Sequence, residues 1–191
     1  MISQKWSKLI RSLQQKKYRK AEQQFFVEGE KAVLELLTST WQVDAVFATE
    51  KFLQQYPQQV KAAALVQQCN SDELVKVGTF ASNDAALAVV KMPAQSDFVP
   101  HSHGFVLVLD QINDPGNLGT IIRIADWYGI KHIVCSADTA DCYNPKVIAA
   151  AKGSFLRVQL HYQALQPLLA HSTLPVYGAY LGGESVHQLQ L

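Results

Sequence analysis

The chain has 191 residues, of which 48% are apolar and 17% are charged, and its formal net charge is +1. This composition argues against a disordered chain, and because no apolar run approaches the roughly 18 residues of a membrane span, we expect a folded protein with no membrane partner. Because the net charge is near zero, the electrostatic field of the whole protein indicates no charged partner. Any sign of nucleic-acid binding must therefore come from a local cluster of basic residues.

The three cysteines, Cys69, Cys135 and Cys142, are widely spaced and form no C-x-x-C pair. The sequence therefore predicts neither a metal site nor a disulfide framework. The first residues are polar and carry no secretory signal, which predicts a cytoplasmic protein.

The first twenty residues carry a local cluster of positive charge. Seven are basic and none is acidic, and apolar residues recur among them at three- and four-residue spacings. The pattern predicts one amphipathic helix with a basic face. A merely solvated face is the alternative. Because no acidic residue lies within pairing distance along the helix, we favour RNA binding through Lys16, Lys17, Arg19 and Lys20.

A first unit follows, in which short strands alternate with helices. Apolar runs predict strands at residues 25–27, 43–48, 62–66 and 85–90, and helices at 29–37 and 71–77, the second capped by Ser71. The alternation predicts a mainly parallel α/β layer structure. Residues 93–104 are rich in Pro and Ser without apolar periodicity, so we assign residues 1–92 to one domain, 93–104 to a linker and 105–191 to a second domain.

The second domain begins with the apolar run 105–109, which is typical of a strand buried on both faces. Next come a helix over 118–128 that ends at Gly129, a strand at 132–135 and a helix over 145–151 capped by Asn144. A further helix is predicted at 163–170 and a last strand at 176–180. Parallel strands joined by helices predict a parallel-sheet, Rossmann-like arrangement with a right-handed crossover.

A polar turn after the first strand of this domain carries the chemistry. Residues 113–119 read Asn-Asp-Pro-Gly-Asn-Leu-Gly and are followed by Arg123. Open α/β sheets place ligands at this end of their strands. The glycines permit close backbone approach, Asn117 can cap the helix, and Arg123 leaves the core face, which suits a phosphate or carboxylate. A cap with a surface arginine is the alternative.

These residues resemble the SpoU/TrmH family of RNA ribose 2′-O-methyltransferases, which belongs to the knotted SPOUT class. The resemblance covers nearly the whole chain. It includes residues 108–110, 113–119, 143–147, 151–154 and 174–182 of the second domain, with Arg123, Ala125 and Gly129, and residues 8–20 and 25–30 of the first.

The resemblance implies an N-terminal α/β domain that binds RNA and is built like certain ribosomal proteins, followed by a parallel-sheet SPOUT domain. It implies methyl transfer from S-adenosylmethionine to a ribose 2′-hydroxyl of ribosomal or transfer RNA by a homodimer. Arg123 corresponds to the residue that binds the target phosphate and helps to activate the hydroxyl, and Asn117 to one that organises the site. Tyr180, Leu181 and Gly182 correspond to one loop of the donor pocket.

The sequence departs from the family after this loop, because the second and third family motifs, which form the knot and most of the donor pocket, do not occur before Leu191. We therefore expect a fragment or a truncated homologue whose donor pocket is incomplete and which is inactive by itself. Two alternatives are a non-catalytic RNA-binding protein with a decayed methyltransferase domain and a structural, dimer-forming α/β protein.

Overall fold

The basic N-terminal segment forms two helices, α1 (Gln4–Ser12) and α2 (Lys16–Glu22), where the sequence predicted one. The computed structural model describes residues 1–94, 98–99, 105–179, 181–183 and 185. Ser3 caps α1, and Gln15 is in an extended conformation that interrupts the helical path. The break is stabilised because the Arg19 guanidinium donates to the carbonyls of Leu13 and Gln14.

The first unit contains a four-stranded sheet in the order β1-β4-β2-β3. Its strands are β1 (Gln24–Glu28), β2 (Val43–Ala48), β3 (Val66–Gln68) and β4 (Ala86–Lys91). Strand β4 is antiparallel to both β1 and β2, and only β2 and β3 pair in parallel. The expectation of a mainly parallel sheet is therefore wrong for this unit, since β4 returns between two earlier strands.

Three helices flank this sheet: α3 (Glu30–Leu37), α4 (Glu50–Gln55) and α5 (Ser71–Val77). The cap of α5 is Asn70 and not Ser71, because Asn70 and Glu73 form a reciprocal capping box. The strand predicted at 62–66 is also displaced. Residues Gln59–Ala62 form a 3₁₀ turn, and β3 begins only at Val66.

The second unit has a parallel sheet in the order β5-β6-β7, as expected in type, but its third strand lies at Gln159–Tyr162, where the sequence predicted none. Its strands are β5 (Val106–Leu109), β6 (His132–Cys135) and β7 (Gln159–Tyr162), and its helices are α6 (Pro115–Trp127), α7 (Pro145–Ala151) and α8 (Leu165–Ala170). Strand β5 is not buried on both faces, because it lies at an edge of the described sheet and Val108 is 36% exposed. Residues 176–179 form no strand, and Tyr180 lies outside the described residues.

The two units share one apolar core. Helices α6 and α7 pack against each other, and α7 also contacts β1 of the first unit. The Phe25 ring lies 4.7 Å from the Tyr143 ring and 6.2 Å from the Phe155 ring, between centroids. In the described part of the chain, no helix is long and apolar enough to cross a bilayer.

Phe98, which lies between the two units, is anchored to the second unit. The backbone N–H of Phe98 donates to Gln163 Oε1 at 2.8 Å, and Gln163 Nε2 donates back to the Phe98 carbonyl at 3.2 Å. The Phe98 ring lies 4.9 Å from the ring of His132 and 4.8 Å from that of His161. The Gln163 side chain thus pairs with both the N–H and the carbonyl of Phe98, as the backbone of a neighbouring strand would.

Candidate active site

The polar turn after β5 passes directly into α6. Asp114 is the N-cap, and its Oδ1 accepts the backbone N–H of Asn117 at 2.7 Å, with Pro115 as the first helical residue. Asn117 is therefore not the cap, contrary to the sequence expectation, because Asp114 already bonds its N–H. The Asn117 side chain is exposed, which leaves its amide available to a ligand.

Backbone contacts with the loop after β6 hold this turn in place. The Gln111 N–H donates to Ser136 Oγ at 2.9 Å, and the Ala140 N–H donates to the Ile112 carbonyl at 2.8 Å. The Ser136 N–H donates to the Leu109 carbonyl at 3.0 Å. Two neighbouring parallel strands thus place their following loops at one edge of the sheet, where α/β proteins bind ligands.

Gly119 lets α6 and α7 approach closely. A Cβ at this position would lie 2.5 Å from the Ala150 Cβ and 2.8 Å from the Val147 carbonyl oxygen. The sequence predicted a close approach at Gly116 and Gly119. At Gly119 the approaching group is a helix of the same unit, whereas Gly116 is exposed.

Arg123 is exposed on α6 and makes no hydrogen bond or ion pair with any residue that the structure describes. The three other arginines all have protein partners. Arg11 donates to the Lys76 carbonyl, Arg19 pairs with Asp141, and Arg157 pairs with both Asp126 and Glu35. Among the described arginines, Arg123 is thus the one whose guanidinium has no protein partner.

Asn117 and Arg123 share a helix but not the same side of it. Six residues separate them, which corresponds to about 9 Å along the axis and about 120° around it. Their side chains can therefore contact different parts of one extended ligand, such as a nucleotide and its phosphate.

Three of the four predicted RNA-binding residues lie on the exposed side of α2. Lys16, Lys17 and Lys20 are exposed, and the Lys17 ammonium lies 4.6 Å from the centre of the Tyr18 ring. Arg19 is different, because it is 1% exposed and bonded to Asp141. The prediction that Arg19 binds an RNA phosphate is therefore corrected, because four of its five N–H groups are already bonded to protein groups.

An open cleft of about 460 Å³ lies between α2 and the polar turn after β5. Gln14, Lys16 and Arg19 line it from the first unit, and the residues that line it from the second include Asn113, Asp141 and Asn144. The structure thus brings the basic helix and the family motif to one concave surface, although they are about 100 residues apart in sequence.

The loop between β6 and α7 supports this cleft. The Tyr162 hydroxyl donates to the Ala140 carbonyl at 2.6 Å and accepts the Cys142 N–H at 2.8 Å. Burial raises the pKa of Cys135 to about 12 and also raises the pKa of Cys142, so neither thiol is a nucleophile near neutral pH. The pairing of Asp141 with Arg19 has no local signal in the sequence, because 122 residues separate the two.

The expected donor loop is only partly described. Tyr180 lies outside the described residues, and Leu181 and Gly182 are exposed. Neither residue lines the cleft between α2 and the polar turn after β5, and neither lines the smaller cavity next to Gly29. These two residues do not by themselves form an enclosed pocket that fits S-adenosylmethionine.

Comparisons with known proteins match both units. Residues 104–191 match the SpoU rRNA Methylase family, and residues 7–88 match the MRM3-like substrate binding domain. The chain is 28% identical to the 23S rRNA (guanosine(2553)-2′-O)-methyltransferase of Bacillus subtilis, over 93% of this chain and 71% of that protein.

Solved structures agree with these matches. A protein assigned to the TrmH family of RNA methyltransferases from Porphyromonas gingivalis has a TM-score of 0.88 and 34% identity, over all of this chain and 76% of that one. An rRNA methyltransferase from Sinorhizobium meliloti, solved with S-adenosylmethionine bound, has a TM-score of 0.77 and 25% identity, over 89% of this chain and 66% of that one. The chain belongs to the SpoU/TrmH family of RNA methyltransferases, whose cofactor is S-adenosylmethionine.

Proposed function

We propose that this protein acts in the 2′-O-methylation of ribose in ribosomal RNA. The observation that carries the proposal is the exposed Arg123, which has no partner among the described residues and lies on the helix that begins in the family motif. The match to the SpoU rRNA Methylase family supports ribosomal RNA as the substrate, in preference to transfer RNA.

The chemistry needs a cation at this position. A ribose 2′-hydroxyl is a poor nucleophile near neutral pH, and S-adenosylmethionine supplies only the methyl group. Arg123 holds the phosphate next to the target ribose and stabilises negative charge as it develops on the ribose oxygen. Asn117, one and a half turns earlier on α6, orients the nucleotide through its exposed amide.

Replacement of Arg123 tests this role. In a chain that includes the second and third family motifs, Arg123→Ala should lower methylation of ribosomal RNA fragments by about 10²- to 10³-fold, the effect of losing one group that stabilises an oxyanion. Arg123→Lys should restore only part of the rate, because an ammonium cannot grip phosphate with two parallel hydrogen bonds.

The matched control is Lys131→Ala, which removes an exposed cation from the same unit. The methylation rate of this control should lie within about twofold of the parent rate. The free energy of unfolding of both Ala variants should lie within about 0.5 kcal/mol of the parent value. Unchanged methylation by Arg123→Ala would contradict the role, and unfolding of that variant would make the residue structural.

The exposed lysines of α2 are proposed to bind the RNA backbone. Replacing Lys16, Lys17 and Lys20 by Gln should weaken RNA binding for all sequences alike. It should also reduce the slope of log K against log salt by about 2 to 3, because each lost phosphate contact removes about 0.7 to 0.9.

The control for this series has the same loss of charge on other elements and replaces Lys51, Lys61 and Lys131 by Gln. It should change the slope by less than one. Equal slopes for the two triple variants would show that α2 is only a solvated face.

Four finer features complete the proposal. We propose that the boundary between the two domains lies within residues 93–104, and that the 191-residue chain alone holds the donor too weakly to be active. A homodimer is supported by the apolar end of α6, where Trp127 is 85% exposed and Ile124 and Tyr128 are also exposed. A cytoplasmic location is supported by the three cysteines, which are all free.

A further inference from the structure

Arg19 is the most completely buried cation that the structure describes, and it joins three segments. Its Nη1 donates to the carbonyls of Leu13 at 2.8 Å and Gln14 at 2.9 Å, in the turn between α1 and α2. Its Nε and Nη2 donate to Asp141 Oδ2 at 3.1 Å and 2.6 Å. Four of its five N–H groups therefore have protein partners.

Asp141 carries this contact into the second unit. Its Oδ1 accepts the Tyr143 N–H at 3.0 Å, and its own carbonyl accepts the Asn144 N–H at 2.9 Å. The backbone N–H of the preceding residue, Ala140, donates to the carbonyl of Ile112. Ile112 lies immediately before the polar turn after β5. A short chain of hydrogen bonds thus runs from α2 through Arg19 and Asp141 to the segment that leads into α6.

A second ion pair also joins the two units, but it is exposed to solvent. Arg157 lies 3.3 Å from Glu35 of α3, and its side chain is 52% exposed, whereas the Arg19 side chain is 2% exposed. Water and salt screen the Arg157 pair and barely reach the Arg19 pair. The Arg19 pair is therefore the one able to fix geometry.

We propose that Arg19 and Asp141 are positioning residues for the methyl-transfer reaction. Their ion pair holds α2, with its three exposed lysines, at a fixed distance and angle from the turn that carries Asn117. When RNA binds to α2 through its phosphate backbone, this geometry places one ribose next to Arg123. This inference rests on the function proposed above, and it assigns to a residue of the basic cluster a role that does not involve touching RNA.

The proposal separates binding from rate. Loss of the ion pair leaves Lys16, Lys17 and Lys20 in place, so the affinity for RNA is retained. The reacting groups, however, are no longer held in register, and a misplacement of about 1 Å can cost about 100-fold in rate.

The kinetic test uses Asp141→Asn in a chain that includes the second and third family motifs, because Asn keeps the shape of the side chain and removes its charge. The expected result is a fall in kcat of about 10- to 100-fold, with the RNA dissociation constant within about threefold of the parent. Arg19→Lys should behave in the same way, since an ammonium cannot bond a carboxylate and two carbonyls in this planar arrangement. The control, Glu35→Gln, removes the exposed ion pair and should stay within about twofold in both quantities.

A distance measurement tests the geometry without requiring activity. Spin labels are placed on the 191-residue chain at Lys51→Cys and Lys131→Cys, two exposed positions in different units, while the three native cysteines are buried. The parent and Glu35→Gln should each give one narrow distance distribution, and Asp141→Asn should give a broader one.

The outcomes are distinguishable. A narrow distribution for Asp141→Asn overturns the proposal, and so does a lower thermal midpoint with kcat unchanged per folded molecule, which indicates a structural role only. If Asp141→Asn does not fold, Arg19→Lys gives the same comparison. If Asp141→Asn gives a broadened distribution but the parent does not methylate RNA, the proposed function is refuted. The inference that the ion pair fixes the geometry then still holds.

Discussion

Gly119 is the residue at which a single methyl group should do most damage to the candidate site. It lies in the middle of α6, where it faces α7. An alanine Cβ there would meet the Ala150 Cβ at 2.5 Å, the Val147 carbonyl oxygen at 2.8 Å and the Ala151 nitrogen at 3.0 Å. Two of these atoms belong to the backbone, so no side-chain rotation relieves the overlap.

Two opposing effects set the size of the change. Gly→Ala in a helix gains about 1 kcal/mol from helix propensity. Carbon atoms in contact lie about 3.5 to 4.0 Å apart, so the helices must separate by about 1 Å, and overpacking of this kind costs about 1 to 3 kcal/mol. Because backbone atoms are involved, we take the upper end and expect Gly119→Ala to lower the free energy of unfolding by about 2 kcal/mol.

Thermal unfolding followed by circular dichroism measures this difference. A loss of about 2 kcal/mol corresponds to a midpoint about 4 to 8 °C lower in a protein of this size. The matched control is Gly116→Ala on the same helix, where the added Cβ meets only Asp114 Oδ1 at 3.1 Å, and its free energy of unfolding should change by about 0.5 kcal/mol or less. A Gly119→Ala protein that melts at or above the parent would refute the close packing of α6 on α7.

Two further predictions concern charge and the donor. The Arg157 hydrogen bonds hold the pKa of Asp126 below its usual value, so this contribution to stability is present above about pH 4 and is lost as the pH falls through the lowered pKa. Asp126→Asn should therefore lower the free energy of unfolding by about 0.5 to 1 kcal/mol at pH 7, and by progressively less as the pH falls through the lowered pKa of Asp126, as measured by urea unfolding. Isothermal titration of the 191-residue chain with S-adenosylmethionine should show no micromolar binding, because Leu181 and Gly182 are exposed; a micromolar dissociation constant contradicts this.

Elements whose boundaries depend on local chemistry were predictable from the sequence. The strands β2 and β6 span the residues predicted for them, and α7 begins at Pro145 after an Asn144 cap, as predicted. Each of these boundaries is set by neighbours within a few residues, through side-chain capping or a run of β-branched residues. The exposure of Arg123 was predictable for the same reason, since helical periodicity alone places it off the core face.

Features that depend on distant residues were not predictable. Strand β4 lies between β1 and β2, and no local pattern specifies that insertion. The close approach at Gly119 was expected, but the sequence does not show that α7 is the approaching group. The exposure of Leu181 likewise depends on which segments pack over it, and not on its immediate neighbours.

The arginines show why residue type alone does not assign a role. Arg19 and Arg157 each pair with a carboxylate 122 residues away in sequence, so neither pairing has a local signal. In the sequence, Arg19 was indistinguishable from the three lysines beside it, and only its burial removes it from the RNA-facing set. The same burial makes it able to transmit position, because a charge that water cannot screen holds its partner in one geometry. We therefore propose that the basic cluster divides into lysines that bind the RNA backbone and an arginine that sets the position of the RNA.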